Sequence, residues 1–204
     1  MIRKLLSSVA LITMFGLAPL AAQGHFGVVA GVVSSNLTVS SSGASLSFKS
    51  RTGFAAGVSM VHAISKDLEF APELLYVQKG SKFTDGSETA SLKVSYAELP
   101  LLFRAKFGTA ATRPFVMAGP AIGVKASCKV SGSSGSTSVS SDCDDLDVNV
   151  KSTDVGLMFG GGVAAKRFSV SVRYDLGLTN VAKDPDPGTK VKNKALLAMV
   201  GISL

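Results

Sequence analysis

The sequence FSVSVRYDLGLT, residues 168–179, alternates apolar and polar side chains along its whole length. Its even-numbered residues are apolar or aromatic. Its odd-numbered residues are Ser169, Ser171, Arg173, Asp175, Gly177 and Thr179. Because successive side chains of a strand point to opposite faces, this stretch is predicted to be a β-strand with one apolar and one polar face. Residues 194–204 repeat the pattern at the end of the sequence, with Leu196, Ala198, Val200, Ile202 and Leu204 on one side.

The same alternation occurs in eight stretches, and each is predicted to be a strand. They are residues 24–33, 53–64, 67–79, 91–107, 113–128, 151–164, 167–180 and 194–204. The connections alternate in length, with long loops at 34–52, 80–90, 129–150 and 181–193 and short turns at 65–66, 108–112 and 165–166. Short turns at one end and long loops at the other are typical of outer-membrane barrels, so the long loops are expected to face outward.

These features predict an all-β fold, an eight-stranded antiparallel up-and-down transmembrane β-barrel. The strand count is even, and the last strand can close against the first, which leaves no unpaired edge in lipid. Composition agrees, since 46% of residues are hydrophobic but only 17% are charged. No apolar run of eighteen residues follows the first twenty-five positions, which excludes a helical membrane bundle. A soluble, exported barrel of lipocalin type is the alternative.

The N-terminus predicts export. Residues 1–22 read as a signal peptide, because Arg3 and Lys4 precede an apolar run that ends in small residues at Ala22. An N-terminal membrane anchor is the other interpretation. The barrel domain is therefore predicted to span 23–204, and the protein is expected in the bacterial outer membrane.

The cations of the predicted mature chain do not indicate a nucleic-acid partner. Removing Arg3 and Lys4 from the 21 Lys and Arg leaves 19 cations against 14 acids, a net charge of +5. These cations are scattered singly through the sequence rather than clustered. A nucleic-acid footprint needs basic residues gathered on one face, so no such partner is expected.

The only two cysteines are Cys128, which directly precedes the Ser-rich loop 129–150, and Cys143, which lies within it. In an exported protein such a pair predicts a disulfide. A metal site is the alternative, but it would need further ligands, and the only histidines are His25 and His62. No metal or other cofactor is therefore predicted.

No catalytic residue is predicted either. Both histidines lie near predicted strand ends, where amphipathic side chains are ordinary rim residues. The segment FGGGVAAK, 159–166, lacks the phosphate-loop spacing. Its glycines are expected to relieve crowding inside a narrow barrel. An outer-membrane barrel enzyme remains an alternative.

Charged residues within the predicted strands indicate the content of the lumen. An Arg or Lys facing lipid at mid-bilayer costs about 2–4 kcal/mol, so such residues should point inward and pair. Lys79 is among the charged residues in these stretches. The predicted charge network comprises Glu73, Glu98, Arg104, Lys106, Arg173 and Asp175. An eight-stranded barrel is just filled by side chains, so a closed lumen is favoured over a channel. The alternative for some of these residues is a hydrated position at the rim.

Three segments also resemble a known family. They are FAPELLYVQKGSKF (70–83), YAELPLLFRAKF (96–107) and RYDLGLTNV (173–181). They are similar to the outer-membrane β-barrel domain widespread in Bacteroidetes, often labelled "porin family", which includes PorT-like proteins. The resemblance implies an OmpX-like eight-stranded barrel in the outer membrane of a Gram-negative bacterium. It implies no defined activity. PorT-like members are associated with protein secretion, but these motifs do not single out that subgroup.

Together the observations predict a non-enzymatic outer-membrane barrel with a structural or surface-interaction role. Its expected partners are outer-membrane lipid and the barrel-assembly machinery, with an extracellular or secretion-system protein as a further candidate. The alternative functions are a small porin-like channel, a barrel enzyme and a soluble lipid-binding barrel.

Overall fold

The structure is a computed structural model. It describes residues 24–41, 44–85, 88–134, 137–146, 148, 150–183 and 188–204. The predicted signal peptide, 1–22, lies outside the described residues. Within the described part of the chain, no helix has the length and apolar character needed to cross a membrane.

Within the described residues, the regular structure consists of ten β-strands and one short 3₁₀ helix. The strands are β1 Gly24–Ser41, β2 Ala44–Ser47, β3 Lys49–Ala63, β4 Leu68–Asp85, β5 Glu88–Lys106, β6 Thr112–Ser134, β7 Thr137–Asp142, β8 Thr153–Ala165, β9 Phe168–Gly177 and β10 Lys190–Ser203. The 3₁₀ helix, Asp144–Leu146, follows β7.

Eight long strands close into a ring in the order β10, β9, β8, β6, β5, β4, β3 and β1. All neighbours are antiparallel, and β10 pairs with β1 over its whole length to complete the barrel. The two short strands extend hairpins above the ring, because β2 pairs with β1 and β7 pairs with β6. The prediction of an eight-stranded antiparallel barrel is therefore confirmed.

Several predicted boundaries were wrong at the long-loop end. Strand β1 runs to Ser41 rather than to residue 33, and β6 runs to Ser134 rather than to residue 128. Much of the predicted loops 34–52 and 129–150 is thus paired backbone. The apolar alternation marks only the part of a strand that faces lipid. A hydrogen-bonded ladder needs no apolar side chains and continues here through serine, threonine and glycine.

The two faces of the strands are as the alternation predicted. On β9 the outward side chains are exposed, with Val170 and Val172 each at 53% exposure. The inward side chains Ser171, Arg173 and Asp175 are buried. In a membrane barrel such an exposed apolar face contacts lipid.

The interior is less polar than the sequence suggested. One apolar cluster packs inside the β10, β1, β3 and β4 wall, and a second packs inside β4, β5, β6 and β8. Leu197 and Met199 of β10 are essentially fully buried in the first cluster, as are Leu102 and Met158 in the second. An eight-stranded interior is therefore packed like a protein core, with charges inserted between apolar layers.

Candidate functional site

A bidentate ion pair crosses the middle of the lumen between Arg173 of β9 and Glu73 of β4. Arg173 Nη1 donates to Glu73 Oε2 at 2.6 Å, and Nη2 donates to Oε1 at 3.1 Å. Arg173 Nε donates to Ser171 Oγ at 3.1 Å. Three strands separate β4 from β9 in either direction around the ring, so this pair spans the barrel. The fork of the guanidinium matches the carboxylate and locks both side chains across the lumen.

A second cluster lies nearer the long loops, around the ammonium of Lys79. The Lys79 Nζ atom donates to the Asp175 carboxylate and lies 2.5 Å from Glu98 Oε2 and 3.7 Å from Asp154 Oδ2. The four side chains come from β4, β5, β8 and β9. Each is at most 3% exposed. One cation thus holds carboxylates from three other strands of the wall.

Neutral donors complete the surroundings of Asp154. Asn193 Nδ2 donates to Asp154 Oδ2 at 2.8 Å, and the Thr179 hydroxyl donates to Oδ1 at 3.0 Å. Asn193 Nδ2 also lies 3.4 Å from the Tyr96 hydroxyl, and Lys79 Nζ lies 5.5 Å from the centre of the Tyr96 ring. The excess of acids over bases in this cluster is therefore offset in part by amide, hydroxyl and ring contacts.

A distorted residue next to Lys79 helps to position it. Gly80 has φ +141°, and a Cβ there would lie 1.9 Å from the Leu92 carbonyl oxygen. Only glycine adopts this conformation at little cost. Lys79, Gly80 and Ser81 are all buried, so the strand departs from simple alternation here. Ser35 Oγ of β1 donates to the Gly80 carbonyl at 3.1 Å and holds the distorted segment inside the barrel.

A third group of charges lies at the short-turn end. Glu69 of β4 accepts a hydrogen bond from Lys106 Nζ, and Arg104 Nη1 lies 3.7 Å from Glu69 Oε2. The Arg104 guanidinium lies 4.5 Å from the centre of the Phe115 ring. A cavity of about 430 Å³ opens below these side chains and includes His25 in its lining. This group closes the lumen toward the short turns.

The six predicted network residues all lie on the inner face, but in separate layers. Arg104 and Lys106 share a strand and a face with Glu98, yet they pair with Glu69 instead. The prediction omitted Glu69 and Asp154, and it expected Lys79 to point inward without naming it in the network. Glu69 could have been found, because it is the direct cross-strand partner of Arg104 in the β4–β5 hairpin. The contacts of Lys79 with Asp154 and Asp175 depend on closure of the ring, whereas Glu98 lies on the neighbouring strand β5.

Glycines on β8 make room for the side chains that fill the lumen. A Cβ on Gly162 would lie 2.8 Å from Phe115 Cζ, and one on Gly156 would lie 2.9 Å from Asp175 Oδ1. Gly162 belongs to the segment FGGGVAAK, so its role matches the predicted relief of crowding. Large side chains occupy the space between the ionic layers, and Tyr96 and Leu75 are at most 1% exposed. The lumen is filled rather than open.

The disulfide joins Cys128 at the upper part of β6 to Cys143 just after β7, with the two Cα atoms 5.3 Å apart. Cys143 N also donates to the Cys128 carbonyl at 3.1 Å. Both cysteines are buried in a small apolar cluster with Val94 and Tyr96. The bond therefore anchors the β6–β7 hairpin to the top of the packed lumen.

A closed ring with an apolar exterior and a packed ionic interior defines an integral β-barrel membrane protein. The family model described as "Outer membrane protein beta-barrel domain" matches residues 20–183. The chain belongs to this family and is an integral protein of the bacterial outer membrane. No curated protein matches the sequence.

Solved structures of three outer-membrane proteins are similar to this chain. Ail, the attachment invasion locus protein of Yersinia pestis, has 15% identity and a TM-score of 0.45, covering 89% of this chain and 99% of Ail. Neisserial surface protein A has 20% identity and a TM-score of 0.45, covering 88% and 97%. The N-terminal β-barrel domain of Pseudomonas aeruginosa OprF has 15% identity and a TM-score of 0.31, covering 89% and 100%.

Proposed function

We propose that the protein is a non-enzymatic surface barrel that binds an extended segment of another protein along the free edge of β7. The observation that carries this proposal is the sheet formed by β4, β5, β6 and β7, which protrudes beyond the lipid-facing band. The long-loop end is taken as extracellular, because barrels of this kind have short periplasmic turns.

The height of the protruding sheet follows from the strand bounds. The lipid-facing side of β5 is apolar from Phe103 to Ala97, but the strand continues to Glu88. At about 3.3 Å per residue, this extension adds about 30 Å of strand. Strand β6 rises beside it to Ser134, where β7 turns back along its other side. The neighbouring strand β8 begins only at Thr153, so its upper end lies well below β7.

The outer edge of β7 is suited to strand addition. Among the described residues, β7 pairs only with β6, which leaves one row of its backbone N–H and C=O groups without a strand partner. The side chains of Thr137–Asp142 are small and mostly exposed, and Val139 is 65% exposed. An exposed edge of this kind can accept an extended peptide through main-chain hydrogen bonds.

The filled lumen supports a closed barrel rather than a channel. In planar bilayers the purified protein is expected to give no stepwise ion conductance. The control is an Arg173→Ala, Glu73→Ala variant, which removes the pair that spans the lumen. Stable conductance steps from the parent protein would favour the small channel over the surface-binding function.

The pairing of the buried acids and bases with one another supports the absence of catalysis. The Lys79 ammonium and the Arg173 guanidinium are engaged by carboxylates from other strands. No lipid hydrolysis, acyl transfer or proteolysis is expected from the purified protein in mixed micelles. Turnover above that of a heat-unfolded sample would contradict this part of the proposal.

Site-specific photo-crosslinking in intact cells tests the binding edge. A benzoylphenylalanine at Ser140 is expected to give protein adducts, whereas one at lipid-facing Leu157 should give none. With the crosslinker kept at residue 140, Ser138→Pro and Val139→Pro supply a matched pair, because neighbouring residues of an edge strand direct their N–H groups to opposite sides. Proline lacks this N–H, so the substitution at the residue whose N–H points away from β6 should abolish the adducts while gel migration still shows a folded barrel. Equal adducts at residues 140 and 157 would contradict the proposal.

We further infer that the protein belongs to the OmpX-like, Bacteroidetes-type branch of its family. The support is that Glu73, Lys79 and Glu98 of the resembling motifs all take part in the lumen ion pairs. A deletion strain with an unchanged set of secreted proteins would separate this chain from the secretion-associated, PorT-like members.

A further inference from the structure

Three lysines continue the lipid-facing side of β10 above its apolar part. Lys190, Lys192 and Lys194 alternate with inward-facing residues, of which Asn193 is 3% exposed. They therefore lie on the same face as Leu196, the first apolar residue of the lipid-facing row, which is 49% exposed. The row begins one pleat above the hydrocarbon-facing surface and rises away from it.

The strands beside this row supply no opposite charge. In the β1–β10 register, Lys192 lies opposite Thr38 and Lys194 lies opposite Asn36. On the other side, Lys194 lies opposite Leu176 of β9. Among the described residues, every salt bridge involves other cations. The preceding loop carries Asp184 and Asp186, which lie outside the described residues.

The spacing of the row makes an external anion favourable. Alternate residues of a strand are about 7 Å apart, so the three ammonium groups repel one another. An anion between neighbouring lysines would offset this repulsion. The row starts where the apolar surface ends, which is the level of the lipid headgroups. Basic residues directly beside a membrane-embedded segment attract anionic headgroups.

We propose that Lys190, Lys192 and Lys194 bind the phosphate groups of lipid headgroups in the outer leaflet. The lipid is the source of the phosphate, because the row is continuous with the lipid-facing surface below it. Asn36 adds a neutral hydrogen-bonding group beside Lys194. This site is on the outside of the barrel wall, on β10, and it is independent of the binding edge on β7.

The chain offers a clean fluorescent probe for the test, because it contains no tryptophan. Leu196→Trp places a single indole on the lipid-facing side directly below Lys194. Phe159→Trp is the matched control, since Leu196 and Phe159 are both lipid-facing cross-strand partners of Tyr174. Strand β8, which carries Phe159, has no lysine above this position.

Each variant is folded into two sets of phosphatidylcholine vesicles. One set contains brominated phosphatidylglycerol, and the other contains the same fraction of brominated phosphatidylcholine. Quenching gives the association constant of the anionic lipid relative to the zwitterionic lipid at each probe. At Leu196→Trp this ratio is expected to be about 3 to 10, given the attraction of about 1 kcal/mol per basic residue. A triple variant should lower this ratio to near 1. It combines Lys190→Gln, Lys192→Gln and Lys194→Gln. The ratio at Phe159→Trp should be smaller and unaffected by the glutamines.

Two further experiments distinguish lipid binding from other interactions of these lysines. Free inorganic phosphate should leave the quenching unchanged apart from ionic screening, because the bound group belongs to the lipid. In purely zwitterionic vesicles the glutamine variant should unfold in urea at the parental midpoint or slightly above it, because the ammonium groups no longer repel one another. A lowered midpoint there would show that the lysines are paired within the protein, for example with Asp184 or Asp186, and would overturn the proposal. An unchanged lipid ratio in the glutamine variant would also overturn it.

Discussion

Two ion pairs of the same chemical type occupy opposite environments in this barrel. Arg173 and Glu73 meet inside the lumen with their side chains 3% and 0% exposed. Lys129 and Asp142 meet on the protruding sheet at 3.2 Å, with their side chains 46% and 58% exposed. Breaking a buried pair leaves an uncompensated charge without water, whereas breaking an exposed pair returns both charges to solvent. The environment therefore sets the consequence of removing a pair more strongly than its distance does.

The comparison also distinguishes two structural roles within one sheet. Below the headgroup level, the inward side chains must fill a narrow space, and each charge needs a partner because it cannot reach water. Above that level, the strands need only their backbone ladder, so most of their side chains are small or polar and individually of little consequence. The lower part of the barrel should thus respond strongly to single substitutions. The protruding part should tolerate them and remain available for recognition.

The largest expected effect comes from breaking the pair that spans the lumen. Arg173→Ala leaves Glu73 buried without its two guanidinium hydrogen bonds. The free energy of unfolding should fall by about 3–5 kcal/mol. Urea unfolding in lipid vesicles, followed by heat-modifiable gel migration, measures this loss.

A double variant sharpens the interpretation of that loss. Arg173→Met with Glu73→Met removes both charges and keeps similar volumes, so most of the stability should return. An Arg173→Ala variant that matches the parent protein would instead show that Glu73 is hydrated. The lumen would then contain a water path, and the channel would become the better function.

An intermediate effect is expected from the disulfide, which joins the two environments. Cys128→Ser with Cys143→Ser removes the covalent link between β6 and the end of β7. In the chain-entropy model, a loop of this length contributes up to about 3 kcal/mol. The barrel should still fold, because the ring ladder is unchanged, but proteases should cut residues 129–150 faster. Two titratable thiols in the denatured, unreduced parent protein would contradict the bond itself.

The comparison also explains which parts of the structure could be predicted from the sequence. Lipid imposes apolar residues on every second position, so the spanning part of β9 and its two faces were visible in residues 168–179. The upper parts of β1 and β6 lie above the lipid-facing band, and their Ser-rich sequences show little apolar alternation. Strands β2 and β7 were missed for the same reason.

The pairing of the lumen charges was harder to predict than their presence. Glu69 and Arg104 are neighbours in one hairpin, so local register is enough to match them. Arg173 and Glu73 are 100 residues apart and meet only because the ring closes with a particular stagger. A single sequence shows that both must point inward, but it does not show the diameter they span.

The smallest expected effect on stability comes from breaking the exposed ion pair of Lys129 and Asp142. Asp142→Ala leaves Lys129 in water, so the free energy of unfolding should change by no more than about 1 kcal/mol. The small contribution should also disappear at high salt, because exposed charges are screened. Urea unfolding at low and at high ionic strength measures both quantities against the parent protein. A loss as large as that of Arg173→Ala would mean that β7 is packed as tightly as the lumen. An edge held that rigidly and shielded from water would be unable to accept a partner strand, so the same measurement also bears on the binding edge of β7.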